Sequence, residues 1–227
     1  MNTLDKHPGG NNFGTRKNIG RDILAARDYK KLAAWIKKNR AAVRSLSSLL
    51  FDHDEIIRWR AVEAIGIAAA VKAENNTEYV RNLIRRFFWM MNDESGNICW
   101  NAPEAIGEIL RNNPLFIPKF AKMLVSFLNE EPFQSGVRLA ISRAAEINPV
   151  PFKSSIEILE ASLDDSDAAI RGLSLIALRT LSRHPREKLR QLAEDRNAFF
   201  VYNFSTGKIE SLTVGGIAKD ILKISTP

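Results

Sequence analysis

The chain has 227 residues, of which 45% are hydrophobic and 26% charged, the composition of a globular protein able to bury a substantial core in one domain or two small ones. No apolar run reaches the roughly 18 residues of a membrane span, residues 1–14 lack the apolar centre of a signal peptide, and the one cysteine, Cys99, has no internal disulfide partner; a reducing, cytoplasmic setting is expected. A net charge of +7 leaves nucleic acid, an acidic protein or an anionic surface open as partners, beside the plainer reading of a solvated basic exterior.

Residues 1–18 are rich in Gly and Asn, show no period, and read as a flexible N-terminal tail. Basic residues then crowd positions 16–44, with only Asp22 and Asp28 against them. From Arg21 onward the apolar residues fall at helical spacing. Leu32, Trp35 and Ile36 form one group, bounded by the polar residues Asp28 and Asn39, and Val43, Leu46, Leu49 and Leu50 form the next.

A ten-residue phrase governs the middle of the chain. Ile57-Arg58-Trp59-Arg60-Ala61-Val62-Glu63-Ala64-Ile65-Gly66 returns as Ile98-Cys99-Trp100-Asn101-Ala102-Pro103-Glu104-Ala105-Ile106-Gly107, a step of 41 positions from Trp59 to Trp100. Helix-pair solenoid units run about 40–47 residues. Four helix pairs follow from the pattern: 40–51 with 54–73, 78–91 with 97–112, 115–128 with 133–147, and 152–163 with 166–183. Within each pair the junction is short and acidic, as at Asp52-His53-Asp54 and Asp164-Asp165-Ser166-Asp167, which suits the positive N-terminal end of the following helix. Pro103 enters the second copy of the phrase. Either the helix starts afresh at Asn101, with Glu104 completing a near capping box, or it begins near Asn97 and bends.

Residues 198–204 are rich in β-formers, 205–208 form a turn, and 209–212 form a returning strand. Thr213 then caps a last helix reaching about Lys223. An isolated hairpin is marginal in water, so this one is expected to lie on the end of the solenoid. The organisation read from sequence is therefore a tail at 1–18, helical repeats at 19–194, and a hairpin with a capping helix at 195–227. The fold class is all-α, an α-α superhelix with a small C-terminal β-hairpin cap.

Residues 40–184 resemble HEAT-like repeats, of the kind also found in phycobilisome lyase-type proteins. The resemblance rests on an acidic turn, then an aliphatic residue with Arg, then small residues: Ile57-Arg58, Ala61, Ala64-Ile65-Gly66; Val137-Arg138, Ala144-Ala145; Ile170-Arg171, Ala177-Leu178. Cys99 replaces the Arg in the second unit. The resemblance implies stacked helix pairs whose second helices line a concave groove, and says little about activity.

Candidate site residues follow from that frame. Trp59 and Glu63 are four apart, as are Trp100 and Glu104, so each pair projects from one side of its helix. Side by side in a groove they would form a Trp ladder beside a Glu ladder, suited to a cationic partner; packed between repeats they would be structural. Trp59, Glu63, Trp100, Asn101, Glu104, Arg138 and Arg143 are the residues assigned to a partner-binding groove. Arg58, Arg138 and Arg171 occupy matching places, either as a phosphate-binding ladder or as ties from each helix to an acidic turn such as Asp54, Glu94 or Asp167. The aromatic run Phe87-Phe88-Trp89 is read as buried between helices, and Phe199, Tyr202 and Phe204 as the core of the hairpin itself.

No catalytic motif stands out. His7, His53 and His184 lack zinc-site spacing, Val214-Gly215-Gly216 is no phosphate loop, and no nucleophile elbow occurs. The expectation is a non-enzymatic protein-binding module without metal or cofactor, holding a protein or peptide segment. The rival is a nucleic-acid enzyme: in length, charge and repeats the chain is similar to the HEAT-like alkylpurine DNA glycosylases, but it shows no counterpart of their catalytic Asp. A lyase-type chaperone is a further alternative, resting on repeat similarity.

Overall fold

The computed structural model describes residues 10–92 and 98–224. Each helical element follows from an apolar stripe and a local start signal. Gly10–Ala25 (α1) and Tyr29–Lys38 (α2) precede the repeats. Asp28 starts α2 by accepting the backbone N–H of Lys31 at 2.9 Å. Ala42–Leu49 (α3) leads into Glu55–Ala73 (α4), capped by Asp54, whose carboxylate accepts the N–H of Ile56 at 2.9 Å. Thr77–Met91 (α5), capped by Asn76, precedes Ala102–Asn112 (α6). Ile117–Val125 (α7) precedes Gln134–Ala145 (α8), and the short Ile156–Ala161 (α9) precedes Ala168–Thr180 (α10). Arg186–Leu192 (α11), an element the sequence pattern did not single out, packs against the last helix, Val214–Ile224 (α12).

The expected architecture is present: an α-solenoid of stacked helix pairs with a two-stranded C-terminal hairpin. The second helices α4, α6, α8 and α10 pack in series and carry the core, while α3, α5, α7 and α9 pack on their outer side. The close approach explains the small residues of the repeated phrase. A Cβ placed on Gly107 of α6 would stand 2.6 Å from the Ala140 Cα of α8, so only glycine admits this spacing. No helix among the described residues is long and apolar enough to cross a membrane.

Several boundaries differ from the sequence reading. Residues 10–18, assigned to the tail, form the first turns of α1. There the Arg44 guanidinium of α3 lies over the Phe13 ring at 5.5 Å, and Ile23 and Leu24 are buried against the first pair; tertiary burial outweighs the poor helix propensity of the Gly- and Asn-rich segment. Residues 1–9 and the junction at 93–97 lie outside the described residues. The helix expected from 97 begins at Ala102 instead, with Pro103 in its first turn, where a missing N–H costs nothing. Asn101 precedes it but makes no side-chain cap bond. Phe87 and Phe88 are buried as expected, whereas Trp89 is exposed.

Ala198–Asn203 (β1) and Lys208–Thr213 (β2) pair antiparallel, Phe199 opposite Leu212 and Tyr202 opposite Ile209. Thr213 starts α12 by accepting the Gly216 N–H at 3.1 Å. The hairpin does not only cap the end of the solenoid. Its base packs on α10, where Phe199 fills the space left by Gly172. Its tip reaches α4 and the α1–α2 junction, so it spans the stack from the last unit to the first.

Candidate functional site

The hairpin meets the first unit at a buried carboxylate. Glu63 of α4 accepts hydrogen bonds from Arg27 Nη2 at 2.9 Å, from the Tyr202 hydroxyl at 2.7 Å, and from the Tyr29 hydroxyl. Burial first, and then the hydrogen bond to Glu63, push the pKa values of Tyr29 and Tyr202 well above the usual phenol range. Both phenols therefore stay protonated and donating. Arg27 sits at φ 51°, a left-handed backbone uncommon outside glycine. From there its Nη1 donates to Ser205 O at 3.0 Å and its Nη2 also to Phe204 O, so one guanidinium ties the hairpin tip to α4. The Tyr202 ring lies parallel to Trp59, centroids 5.3 Å apart and planes 1° apart, and Phe204 stands edge-on to Tyr202.

Beyond the tip the same face continues as alternating charge. Arg143 of α8 lies over the Phe204 ring at 4.1 Å, and its Nε donates to Glu108 of α6 at 2.6 Å. Glu146 bridges Arg143 and Arg111 at 2.7 and 2.8 Å. Burial, the largest influence, raises the Glu108 carboxyl above its usual range against the opposing pull of Arg143. A polar cleft of about 230 Å³ opens here between Glu63, Glu108, Arg111 and the hairpin tip.

The residues assigned to the groove from sequence thus separate into three places. Trp59, Glu63 and Arg143 lie on the hairpin-bearing face, and the first two are covered by the chain's own strand. Trp100 and Asn101 lie on a different edge, where Trp100 is 73% exposed beside Phe51 at 53%, around a pocket of about 380 Å³ that Arg58 also lines. The Trp ladder does not form, because the fresh start of α6 leaves Trp100 in the preceding turn while Trp59 is within α4.

Glu104 and Arg138 are interior residues, which corrects their assignment to a groove. The Glu104 carboxyl is packed against Gly136, where a Cβ would stand 2.8 Å away. Its Oε2 has no hydrogen-bond partner among the described residues, and burial pushes its pKa up to about 7. Burial, and then the Glu104 charge, push the neighbouring Cys99 thiol up to about 12. Arg138 is 2% exposed and donates to Leu128 O, Gln134 O, Ser162 Oγ and Ser174 Oγ at 2.8, 2.9, 2.6 and 2.9 Å.

The matching arginines behave alike. Arg58 Nη1 donates to Asp52 O and His53 O, and Arg171 Nη1 to Asp165 O and Ser166 O. The tie to the acidic turn is real, but its acceptors are turn carbonyls. The carboxylates of Asp54 and Asp167 are engaged instead in capping α4 and α10. Arg171 also pairs with Asp195 at 2.7 Å, fixing the segment that enters the hairpin. Phe199 and Tyr202, read as the hairpin's own core, are anchors onto α10 and α4. Neither the Glu63 clamp nor the part of Arg27, Tyr29 and Glu108 was found from sequence, since they meet across separations of 34 to 178 positions.

Among the described residues, no group of three or more His, Cys, Asp or Glu is placed to hold a metal ion. The hairpin-bearing face of the repeat stack thus carries a stacked aromatic pair, paired carboxylates and guanidiniums. No family model matches the chain. An uncharacterised protein of Archaeoglobus fulgidus is 36% identical over 138 residues, covering 60% of this chain and 72% of the relative, and the chain belongs to that protein's family. The crystal structure of an engineered protein superposes with a TM-score of 0.55 at 16% identity over 95% of this chain and 92% of its own, which places the fold. A crystal structure of computationally designed armadillo repeat proteins for modular peptide recognition gives a TM-score of 0.46 at 21% identity over 90% of this chain and 97% of that one.

Proposed function

We propose that this protein is a non-enzymatic binding module that holds an extended protein segment on the face formed by α4, α6 and α8. One observation carries the reading: that face already holds such a segment, the chain's own β1 and the Phe204 that follows it, through an aromatic stack on Trp59, a hydroxyl on Glu63 and a ring under Arg143. The same kinds of group continue past the hairpin tip as an open polar strip. Trp100, Asn101 and Phe51 form a second exposed aromatic surface at the loop edge, of the kind that anchors partners. Phosphate recognition by an arginine ladder gains no support, because Arg58, Arg138 and Arg171 spend donors inside the fold.

The test is selection of peptides on the full chain from a random displayed library, followed by anisotropy titration. Enriched peptides should compete with one another and lose at least about tenfold in affinity when Ile67, which lines the open strip, becomes Glu, or when Trp100 becomes Ala. A library that yields no binder, or binders indifferent to both substitutions, overturns the module and its surface.

A further inference from the structure

The cleft beside the hairpin tip holds two carboxylates in opposite conditions. Glu63 is saturated by three donors. Glu108 is not. Its side chain is 5% exposed and its Oε1 accepts from Arg143, yet its Oε2, facing the cleft, accepts from no described residue. An acceptor left open toward the cleft can take a donor from whatever enters. Across the same opening Arg111 commits its Nε to Glu146, while its Nη1 and Nη2 donate to no described residue.

Charge decides what fits between them. Glu63 is balanced by Arg27, and Glu108 with Glu146 by Arg111 with Arg143. A cation or an anion entering would bring unpaired charge beside the nearly buried Glu63 and Glu108 carboxylates, whose charges are already balanced, at a desolvation cost. A neutral group with one donor and one acceptor satisfies both open partners. Ile67 and Phe204 supply an apolar wall for a short carbon stem.

We propose that this cleft takes a side-chain carboxamide, a Gln or Asn of the bound segment, with its NH₂ donating to Glu108 Oε2 and its carbonyl accepting from Arg111. The assignment rests on the binding-module reading and adds the chemistry of one position in the partner. It differs from main-chain recognition, since a peptide unit offers the same pair of groups without a stem.

The experiment titrates the full chain with capped pentapeptides of alanine carrying Gln, Asn, Leu, Lys or Glu at the centre, followed by the ¹⁵N-edited signals of Arg111 Nε–H and the Asn112 amide. The Gln peptide should bind about tenfold or more tighter than the Leu peptide. Arg111→Ala, a substitution at a partly exposed helix end, should reduce Gln to the level of Leu with the thermal transition unchanged. Equal affinity of Gln and Leu assigns the open groups to the main chain and overturns the carboxamide, and a preference for Lys or Glu overturns the neutral-group argument. If none of the five binds while library-selected peptides do, the cleft assignment falls and the module stands; if neither set binds, both fall.

Discussion

Tyr202 lies flat on Trp59 although the two are far apart in sequence, and its hydroxyl reaches the Glu63 carboxylate one helical turn further along α4. The stack and the hydrogen bond act on the same side chain, one through the ring and one through its tip. Tyr202→Phe removes the second only, and, since Tyr29 still donates to the same oxygen, should lower unfolding free energy by about 1–2 kcal/mol, the scale of one hydrogen bond to a charged group. A double-mutant cycle between positions 59 and 202 should return a coupling of about 0.5–1.5 kcal/mol beyond area burial. Urea denaturation of the four proteins measures both, and a coupling indistinguishable from zero would show that the stack contributes nothing specific.

Glu104 gives the fold a pH signature of known sign. Its folded pKa, about 7, lies above the ordinary 4.5, so the folded state holds the proton more tightly than the unfolded chain. Stability from this group is fully present below pH 4.5 and is lost as pH rises through 7. The loss is on the order of 3 kcal/mol. Asp52 and Asp195 are shifted the other way and act below pH 4, outside this window. Glu108, also raised, adds a dependence of the same sign, so Glu104→Gln should reduce without abolishing the difference in urea stability between pH 5 and pH 8; an unchanged pH dependence would locate the effect elsewhere.

The space that Glu104 occupies exists because position 136 has no side chain. Gly136→Ala places a methyl against the carboxyl and should cost about 1–3 kcal/mol through overpacking. In a Glu104→Ala background most of that cost should vanish, which thermal denaturation of the two pairs would show.

Arg138 and Arg58 occupy matching positions with different exposure. Truncating Arg138 strands two hydroxyls and two carbonyls between α8 and α10, so Arg138→Ala should cost several times what Arg58→Ala does, about 3 kcal/mol or more. Equal losses in chemical denaturation would mean that burial of the guanidinium carries no extra weight.

Cys99 should be chemically silent in the native protein. Its thiol, 1% exposed and raised to about 12, presents almost no thiolate at pH 8. Reaction with a colorimetric disulfide reagent should proceed at the rate of unfolding and become immediate in urea; fast native labelling would show that the α5–α6 junction opens locally.

The repeats were legible because each unit writes its own punctuation: Asp54 and Asp167 start helices as the acidic junctions suggested, and the small residues of the phrase mark the tight α4–α6–α8 seams. What the phrase could not convey is that its two copies differ in environment. Pro103 restarts α6, so Trp100 is in a turn while Trp59 is helical, and Glu63 meets donors from α2 and β1 that Glu104 does not. Arg143, named from sequence for its positive charge, lies on the hairpin-bearing face, over Phe204 and paired with Glu108. The strand that covers Trp59, and the Arg27 turn that holds it, arise from contacts that no window of a helical period spans.

The crossing hairpin also alters how an array of this kind comes apart and comes together. Units that touch only their neighbours can fray from either end, with each interface setting its own stability. Here Arg27 and Ser205 fasten the two ends to one another, so the array is closed like a belt and neither terminal unit can be lost without breaking the clasp. The clasp is also translated after the units it fastens. Until β1 emerges, Trp59 and Glu63 wait on a nascent stack without their final partners, which for Glu63 and Tyr202 lie 139 positions apart.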